Sequence, residues 1–134
     1  MANALYNSGS AYLLSNFDWV GQDFDAYLID TTAYTVNLTT HTSMSDVPVG
    51  ARIAGPIALA SKAIVAGAAD AANITFPAVV GPTCQAIIIA KHTGADATDT
   101  LVVWIDNSTG LPITPNGGDI INIWDDGVYR IFKP

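Results

Sequence analysis

The sequence predicts an all-β domain, an antiparallel β-sandwich or barrel of about 7–9 short strands with a short N-terminal helix or arm. Ile and Val together number 24 against 8 Leu, and there are 13 Thr, a composition that strands favour. All 12 acids are Asp, with no Glu, which suits turns better than helices. No helical linkers of about 10–15 residues separate the apolar runs, which argues against a parallel α/β sheet.

The length of 134 residues indicates one domain, large enough to bury about two-thirds of its unfolded surface without a disulfide or metal. We expect residues 1–22 to form an N-terminal arm or short helix and residues 23–134 to form the β-sandwich. Cys84 is the single cysteine, so it has no partner for an intramolecular disulfide.

The first half of the chain contains the one helix candidate, residues 4–15, although Gly9 interrupts it. Residues 23–30 alternate as a strand does, and Tyr34, Val36 and Leu38 repeat this pattern. Residues 41–50 contain short polar side chains and Pro48, which predicts a loop or a single helical turn.

The second half of the chain is predicted to be a succession of short strands separated by turn residues. Asp126-Gly127 favours a type I′ hairpin joining the last two strands. Residues 86–90 and 101–105 are apolar on both faces, which predicts central strands covered on both sides. The predicted strands span residues 52–54, 57–66, 72–76, 84–92, 101–107, 119–125 and 128–132, and the turns between them include Gly55-Pro56, Gly67 and Gly81-Pro82.

The charge balance excludes several classes of partner. Five basic residues against 12 acids give a net charge of −7 and a pI near 4.2. Nucleic-acid affinity depends on Lys and Arg, so nucleic acid and anionic membrane surfaces are not expected partners. We find no signal peptide and no apolar run of about 20 residues, and expect a soluble protein made in the cytoplasm.

Only 13% of the residues are charged, against about 25% in typical soluble domains. Part of the surface must therefore be apolar or uncharged. Such a surface is expected in a subunit that packs against copies of itself, so we expect an oligomer.

The motifs that carry chemistry are incomplete. Asp30-Thr31-Thr32 lacks the glycine that follows Asp-Thr in aspartic proteases, so we interpret it as a turn that ends a strand. Cys84 has no cation nearer than Lys91 to activate it, and we expect it in the core. The sequence therefore predicts no catalytic residue and no enzyme.

Metal and cofactor sites are not predicted either. The acids have no complete calcium-loop pattern, and the two histidines lack partners at zinc-ligand spacing. We interpret all of these residues as solvated turn or surface groups. They are Asp18, Asp23, Asp25, Asp96 and Asp99 among the acids, with His41 and His92.

Aromatic side chains are the remaining candidates for a binding site, because a groove of aromatic rings can hold sugars. Trp104 and Trp124 lie inside apolar runs and are expected in the core. Trp19, beside Asp18 and Gly21, is the tryptophan expected to be exposed.

The C-terminal third, residues 109–133, with Leu-Pro-Ile-Thr-Pro-Asn-Gly-Gly-Asp at residues 111–119, resembles small structural proteins encoded in the head-gene region of tailed bacteriophages and prophages. The same family is matched in order by further short segments, so the resemblance extends over nearly the whole chain. These are residues 1–6, Asp18-Trp19, residues 28–31, residues 46–52 and residues 104–106. Gly55-Pro56 and the Ala-rich residues 66–72 depart from the family pattern.

This resemblance implies a virion component, and most specifically a capsid decoration (cement) protein on the capsid exterior. Its partners would be the major capsid protein and itself, as a homotrimer, and it would be made in the host cytoplasm. The candidate contact residues are Leu5 and Tyr6 in the N-terminal arm, Trp19, and Leu111, Pro112 and Ile113 in an exposed loop. Two alternatives remain open: a tail or fibre component, with host carbohydrate as its candidate ligand, and a non-structural phage protein of the infected cell.

Overall fold

The computed structural model describes residues 4–8, 13, 18–106, 111–122, 124 and 131–132. This part of the chain is all-β, with nine strands in antiparallel pairs, and its sheets do not close into a barrel. The all-β prediction is confirmed, and the layering is sandwich-like. The strands are β1 (Ala4–Leu5), β2 (Phe24–Ile29), β3 (Arg52–Ala58), β4 (Ala63–Val65), β5 (Ala68–Asp70), β6 (Ile74–Phe76), β7 (Ala86–Lys91), β8 (Leu101–Ile105) and β9 (Ile120–Asn122).

A five-stranded sheet in the order β1-β8-β7-β2-β3 forms the centre of the molecule. Strands β2 and β7 pair without interruption from Phe24 opposite Lys91 to Ile29 opposite Ala86. Every residue of β2 and β8 is buried, as is every residue of β7 before Lys91. The predicted central strands at residues 86–90 and 101–105 are therefore confirmed.

The first face of this sheet is covered by two small sheets, β4–β5 and β6–β9. Leu28, Ile87 and Ile89 point to this face and belong to one core cluster with Phe76 and Trp124. Because alternate residues of a strand face opposite sides, the intervening side chains are left for the other face.

The second face is covered by the segment between β2 and β3. Tyr27, Ile29 and Ile88 pack there against residues such as Tyr34 and Met44. The strand predicted over Tyr34, Val36 and Leu38 is wrong: these residues form no strand, and their apolar side chains cover the sheet from a loop.

Two features hold this covering loop. The Asp30 carboxylate accepts hydrogen bonds from the backbone N–H and the hydroxyl of Thr32, at 2.9 and 2.7 Å, which ends β2 in a turn as expected for Asp30-Thr31-Thr32. Arg52 then donates to the backbone carbonyls of Met44 and Val47. Met44 begins the first of two 3₁₀ turns, Met44–Asp46 and Val49–Ala51, and Val47 lies between them.

Strand boundaries differ from prediction around β3, β4 and β5. Gly55-Pro56, predicted as a turn, lies inside β3, where the pairing with β2 is irregular. Gly55 has φ 108°, and a Cβ there would lie 2.6 Å from the Ala26 carbonyl oxygen, so this close approach requires glycine. The predicted strand at 57–66 is split into the end of β3 and β4, and β5 was not predicted.

The C-terminal strand pairing differs from the simplest sequence interpretation. β9 pairs with β6, with Thr75 opposite Ile121. Phe132 forms a bridge to Ala69 of β5, whereas the predicted hairpin at Asp126-Gly127 and most of the strand at 128–132 lie outside the described residues. No helix in the described part of the chain is long and apolar enough to cross a membrane.

Candidate interaction surface

The N-terminal contact residues are part of the fold. Ala4 and Leu5 pair with Trp104 and Val103 as the edge strand β1, and Tyr6 is completely buried. Leu5 is half-buried against the core cluster on the first face. Ala4 and Leu5 of the expected arm therefore form a packed strand, and the adjoining Tyr6 is not exposed to a partner. The helix predicted over residues 4–15 is wrong at β1, which is a strand. Helical backbone is found at Asn7, Ser8 and Leu13. Apart from Tyr6, the other residues of that range lie outside the described part.

Tyr6 begins a buried chain of hydrogen bonds. Its hydroxyl lies 2.9 Å from the Tyr34 hydroxyl, which in turn lies 2.8 Å from Nδ1 of His41. Burial raises the pKa of both tyrosines, foremost by desolvating their ionised forms. The chain links the N-terminal strand to the half-buried His41 on the covering loop.

The expectation that Trp19 is exposed is wrong, since 2% of this residue is accessible. Its ring packs against Phe24 and edge-on against Phe132, with centroids 4.8 and 5.5 Å apart, and its indole N–H donates to the Asp70 carbonyl. The Asp18 carboxylate accepts the Gly21 N–H at 3.0 Å, across the turn that contains Trp19. Trp104 and Trp124 are buried as predicted.

Of the predicted loop contacts, Pro112 is exposed, whereas Leu111 and Ile113 are half-buried. The loop is not the tip of a hairpin, because Ile113 pairs with Cys84. Leu111 and Ile113 line a small cavity of about 30 Å³ beneath β9. Pro112 is therefore the member of this group best placed to touch a partner.

Pro112 belongs to a larger surface without charge, which we name the uncharged face. It consists of residues 53–61, 71–83 and 111–118, none of which is Asp, Glu, Lys, Arg or His. Exposed residues of the neighbouring β9 extend it.

Contacts between the three segments make the uncharged face continuous. The Val79 N–H donates to the Gly118 carbonyl at 3.0 Å, and the Gly117 N–H donates to Val79 at 2.8 Å. The hydroxyls of Thr83 and Thr114 lie 2.9 Å apart. Strand β6 packs beside β3, the edge strand of the central sheet, so the three segments adjoin one another.

Two large apolar side chains project from this surface. Val80 is 70% exposed and Ile121 is 64% exposed. Ile121 lies opposite the exposed Thr75 on the outer side of the β6–β9 pair, while their neighbours Phe76 and Ile120 point into the core. Alternation along these strands therefore places both apolar and hydroxyl groups outward.

Two acids border the uncharged face, and both are engaged with the backbone. The Asp70 carboxylate accepts the Ala71 N–H at 2.9 Å, and the Asp119 carboxylate accepts the Ala78 N–H at 2.9 Å.

Other acids gather near the 3₁₀ turns and the loop between β7 and β8. They form what we name the acidic cluster, whose members are Asp23, Asp25, Asp46, Asp96 and Asp99. The Met44 and Ser45 N–H groups donate to the carbonyls of Asp99 and Asp96, which brings the two loops together. Arg52 forms an ion pair with Asp96 at 2.9 Å.

Asp25 and Asp99 are both buried members of the acidic cluster, so the expectation that these two acids are solvated is wrong. The Asp25 carboxylate lies 2.9 Å from Nδ1 of the exposed His92. Burial raises its pKa above the usual range, and the neighbouring His92 reduces but does not cancel that shift. Asp46 is exposed, and the N–H groups of Thr42 and Ser43 lower its pKa by hydrogen bonding to the carboxylate.

The described residues contain no group of three or more His, Cys, Asp or Glu side chains arranged to hold a metal ion. Cys84 is buried as predicted, and burial raises its pKa to about 11. A thiol with this raised pKa stays protonated at neutral pH, and a protonated thiol is a poor nucleophile.

An open groove of about 430 Å³ lies on the other side of the sheet. It is lined by Tyr34, Gln85, Trp104, Asp106 and the predicted contact residue Pro112, among others. Trp104 donates its indole N–H to Asp106 at 3.0 Å. The side chains of Tyr34 and Trp104 are almost completely buried. The groove therefore presents ring edges and polar atoms, and no open aromatic platform.

A scan against protein-family models finds no matching family, and a search of curated proteins finds no relative.

Proposed function

We propose that this chain is a structural subunit of a bacteriophage virion, and specifically a capsid decoration protein that binds the outer shell as an oligomer and stabilises it. The observation that carries the proposal is the uncharged face on an otherwise acidic chain. Its exposed Val80 and Ile121 suit broad contacts between subunits, because the centres of such contacts are poor in charge.

The sequence resemblance to head-region structural proteins gives this surface its proposed setting. A decoration protein needs no catalytic group: it gains affinity by placing several copies across the seams of a shell, where modest contacts combine. The net charge of −7 disfavours adhesion to packaged DNA. The major capsid protein is the proposed partner.

The first experiment is quantitative protein composition of purified particles, followed by a sub-nanometre reconstruction of the head. Hundreds of copies per particle, seen as symmetric protrusions outside the shell, are the expected result. A few copies would move the protein to the neck or tail. Absence from particles would contradict the proposal and favour a non-structural role in the infected cell.

A tail or fibre component that binds host carbohydrate is the second candidate. The groove beside Tyr34 and Trp104 favours it, because the carboxylate of Asp106 and the amide of Gln85 that line it are suited to sugar hydroxyls. Binding of the purified protein to a glycan array, lost on Gln85→Ala but kept on Val80→Asp, would favour this candidate over the decoration role.

A further inference from the structure

We propose that the uncharged face is the surface through which two copies of this chain pack against each other. This deepens the proposed function, on which it rests for its biological setting, and it assigns the oligomer a two-fold contact in place of the homotrimer that the resemblance implies. The exposed Val80 lies on one of the three segments that define the face, and the exposed Ile121 lies on β9, which extends it.

Charge selects this face for self-association. Each copy carries a net charge of −7, so two copies repel one another wherever their acids meet. The acidic cluster lies around the 3₁₀ turns and the β7–β8 loop. The uncharged face contains no ionisable side chain of its own, and its bordering acids, Asp70 and Asp119, are bonded to backbone N–H groups.

The absence of charge also identifies a second copy of this chain as the partner that binds the uncharged face. When two identical molecules meet about a two-fold axis, the same patch supplies both sides of the contact. A patch of one charge sign opposes itself, whereas an uncharged apolar patch is complementary to itself. Val80 at 70% exposure and Ile121 at 64% exposure supply the apolar area that such a contact removes from water.

The backbone of this face is already satisfied where its segments join. The β6–β9 ladder continues through the hydrogen bonds between Val79 and residues 117–118. At this join, a second copy therefore packs against outward-facing side chains and does not extend the β-ladder through backbone hydrogen bonds.

The opposite side of the sheet supplies a matched control. Val49 is 74% exposed, more than Val80, but it lies in a 3₁₀ turn of the loop that covers the second face. Val80→Asp and Val49→Asp therefore introduce the same charge at equally open valines on opposite sides of the sheet.

The test is sedimentation equilibrium of the full chain over a range of concentrations, with circular dichroism to establish that each variant is folded. We expect the unmodified chain to self-associate. Val80→Asp and Ile121→Asp should each raise the dissociation constant at least about tenfold, corresponding to about 1.4 kcal/mol, and Val49→Asp should leave it unchanged.

A chain that stays monomeric at all concentrations would overturn the inference, as would a Val49→Asp variant that weakens association as much as Val80→Asp. If Val80→Asp fails to fold, Ile121→Asp and the exposed Thr75→Asp test the same face. Association through Val80 in a protein absent from virions would support this inference and contradict the proposed function. A monomer found on virions would do the reverse.

Discussion

At the scale of single residues, the hydrogen-bond chain from Tyr6 through Tyr34 to His41 connects three parts of the fold. Tyr34 is its middle member, at 2.9 Å from Tyr6 and 2.8 Å from His41. Removing the middle hydroxyl leaves the buried Tyr6 hydroxyl without this partner, whereas removing both tyrosine hydroxyls leaves no unsatisfied tyrosine oxygen.

We therefore expect Tyr34→Phe to lower the free energy of unfolding by about 1–3 kcal/mol. The double variant Tyr6→Phe/Tyr34→Phe should cost less than the sum of the two single variants, because the hydroxyls interact. Urea unfolding of the four proteins in this cycle measures the coupling. Strict additivity would show that the two hydroxyls do not act as a pair.

Asp25 and Asp46 should respond to pH in opposite ways. The folded-state pKa of Asp25 is raised by burial, so the folded protein holds this proton more tightly than the unfolded chain, and acidification favours folding. The pKa of Asp46 is lowered by backbone hydrogen bonds, so its contribution is present above the unfolded pKa of about 3.9 and is lost below it.

The measurement compares unfolding of the native sequence, Asp25→Asn and Asp46→Asn between about pH 7 and pH 3. On acidification, the stability of the native sequence should rise relative to Asp25→Asn and fall relative to Asp46→Asn. Parallel behaviour of the two variants would mean that burial does not control Asp25.

Single residues also show which side chains the sequence predicts to be buried correctly and which it does not. The core positions of Cys84 and Trp104 are predicted correctly, Trp104 because its neighbours in the chain are apolar and Cys84 because no cation nearer than Lys91 activates it. The core position of Trp19 is not, because Asp18 and Gly21 beside it indicate a surface turn. The turn exists, with the Gly21 N–H donating to the Asp18 carboxylate, but the Trp19 ring is buried by contacts with distant residues such as Phe132.

At the scale of secondary-structure elements, the β4–β5 hairpin turns through Ala66 and Gly67, with Val65 opposite Ala68. Their φ angles are 50° and 82°, as a type I′ turn requires at both central positions. Alanine is unfavourable with a positive φ, whereas asparagine tolerates it. The hairpin therefore has one poorly suited residue in its turn.

We expect Ala66→Asn to raise the free energy of unfolding by about 0.5–1 kcal/mol. Gly67→Ala, which places a side chain at the second positive φ, should lower it. Thermal and urea unfolding of both variants measure the effect. Destabilisation by Ala66→Asn would show that a contact of the Ala66 methyl group outweighs the turn geometry.

The sequence predicts strands correctly where the pattern of apolar residues matches their burial in the fold. β7 and β8 carry continuous apolar runs because both of their faces are covered. β5 was missed because Ala68 and Ala69 are not β-branched and give no strand signal. Tyr34, Val36 and Leu38 alternate like a strand, but a loop that covers a sheet also needs apolar residues at intervals.

At the scale of the whole molecule, charge is unevenly distributed between the acidic cluster and the uncharged face. The three segments of that face were visible in the sequence as stretches without charge. Their assembly into one surface was not, because it depends on the long-range pairing of β6 with β9 and of Ile113 with Cys84.

If copies associate through the uncharged face, salt should strengthen the association. The screening length falls from about 30 Å at 0.01 M to about 3 Å at 1 M ionic strength, which weakens repulsion between the acidic clusters without removing any ion pair from the contact. Sedimentation equilibrium at the two ionic strengths measures this change. Weaker association at high salt would indicate an interface held by ion pairs.

The two outer edges of the central sheet are poorly suited to pairing with a strand of another molecule, which disfavours aggregation. A long, regular edge strand can add a strand from another molecule and grow into fibrils. Here one outer edge is the two-residue β1, and the other is β3, whose pairing with β2 is irregular and whose Pro56 has no N–H to donate. Copies held close together on a surface could thus meet through side chains while strand addition at these edges remains disfavoured.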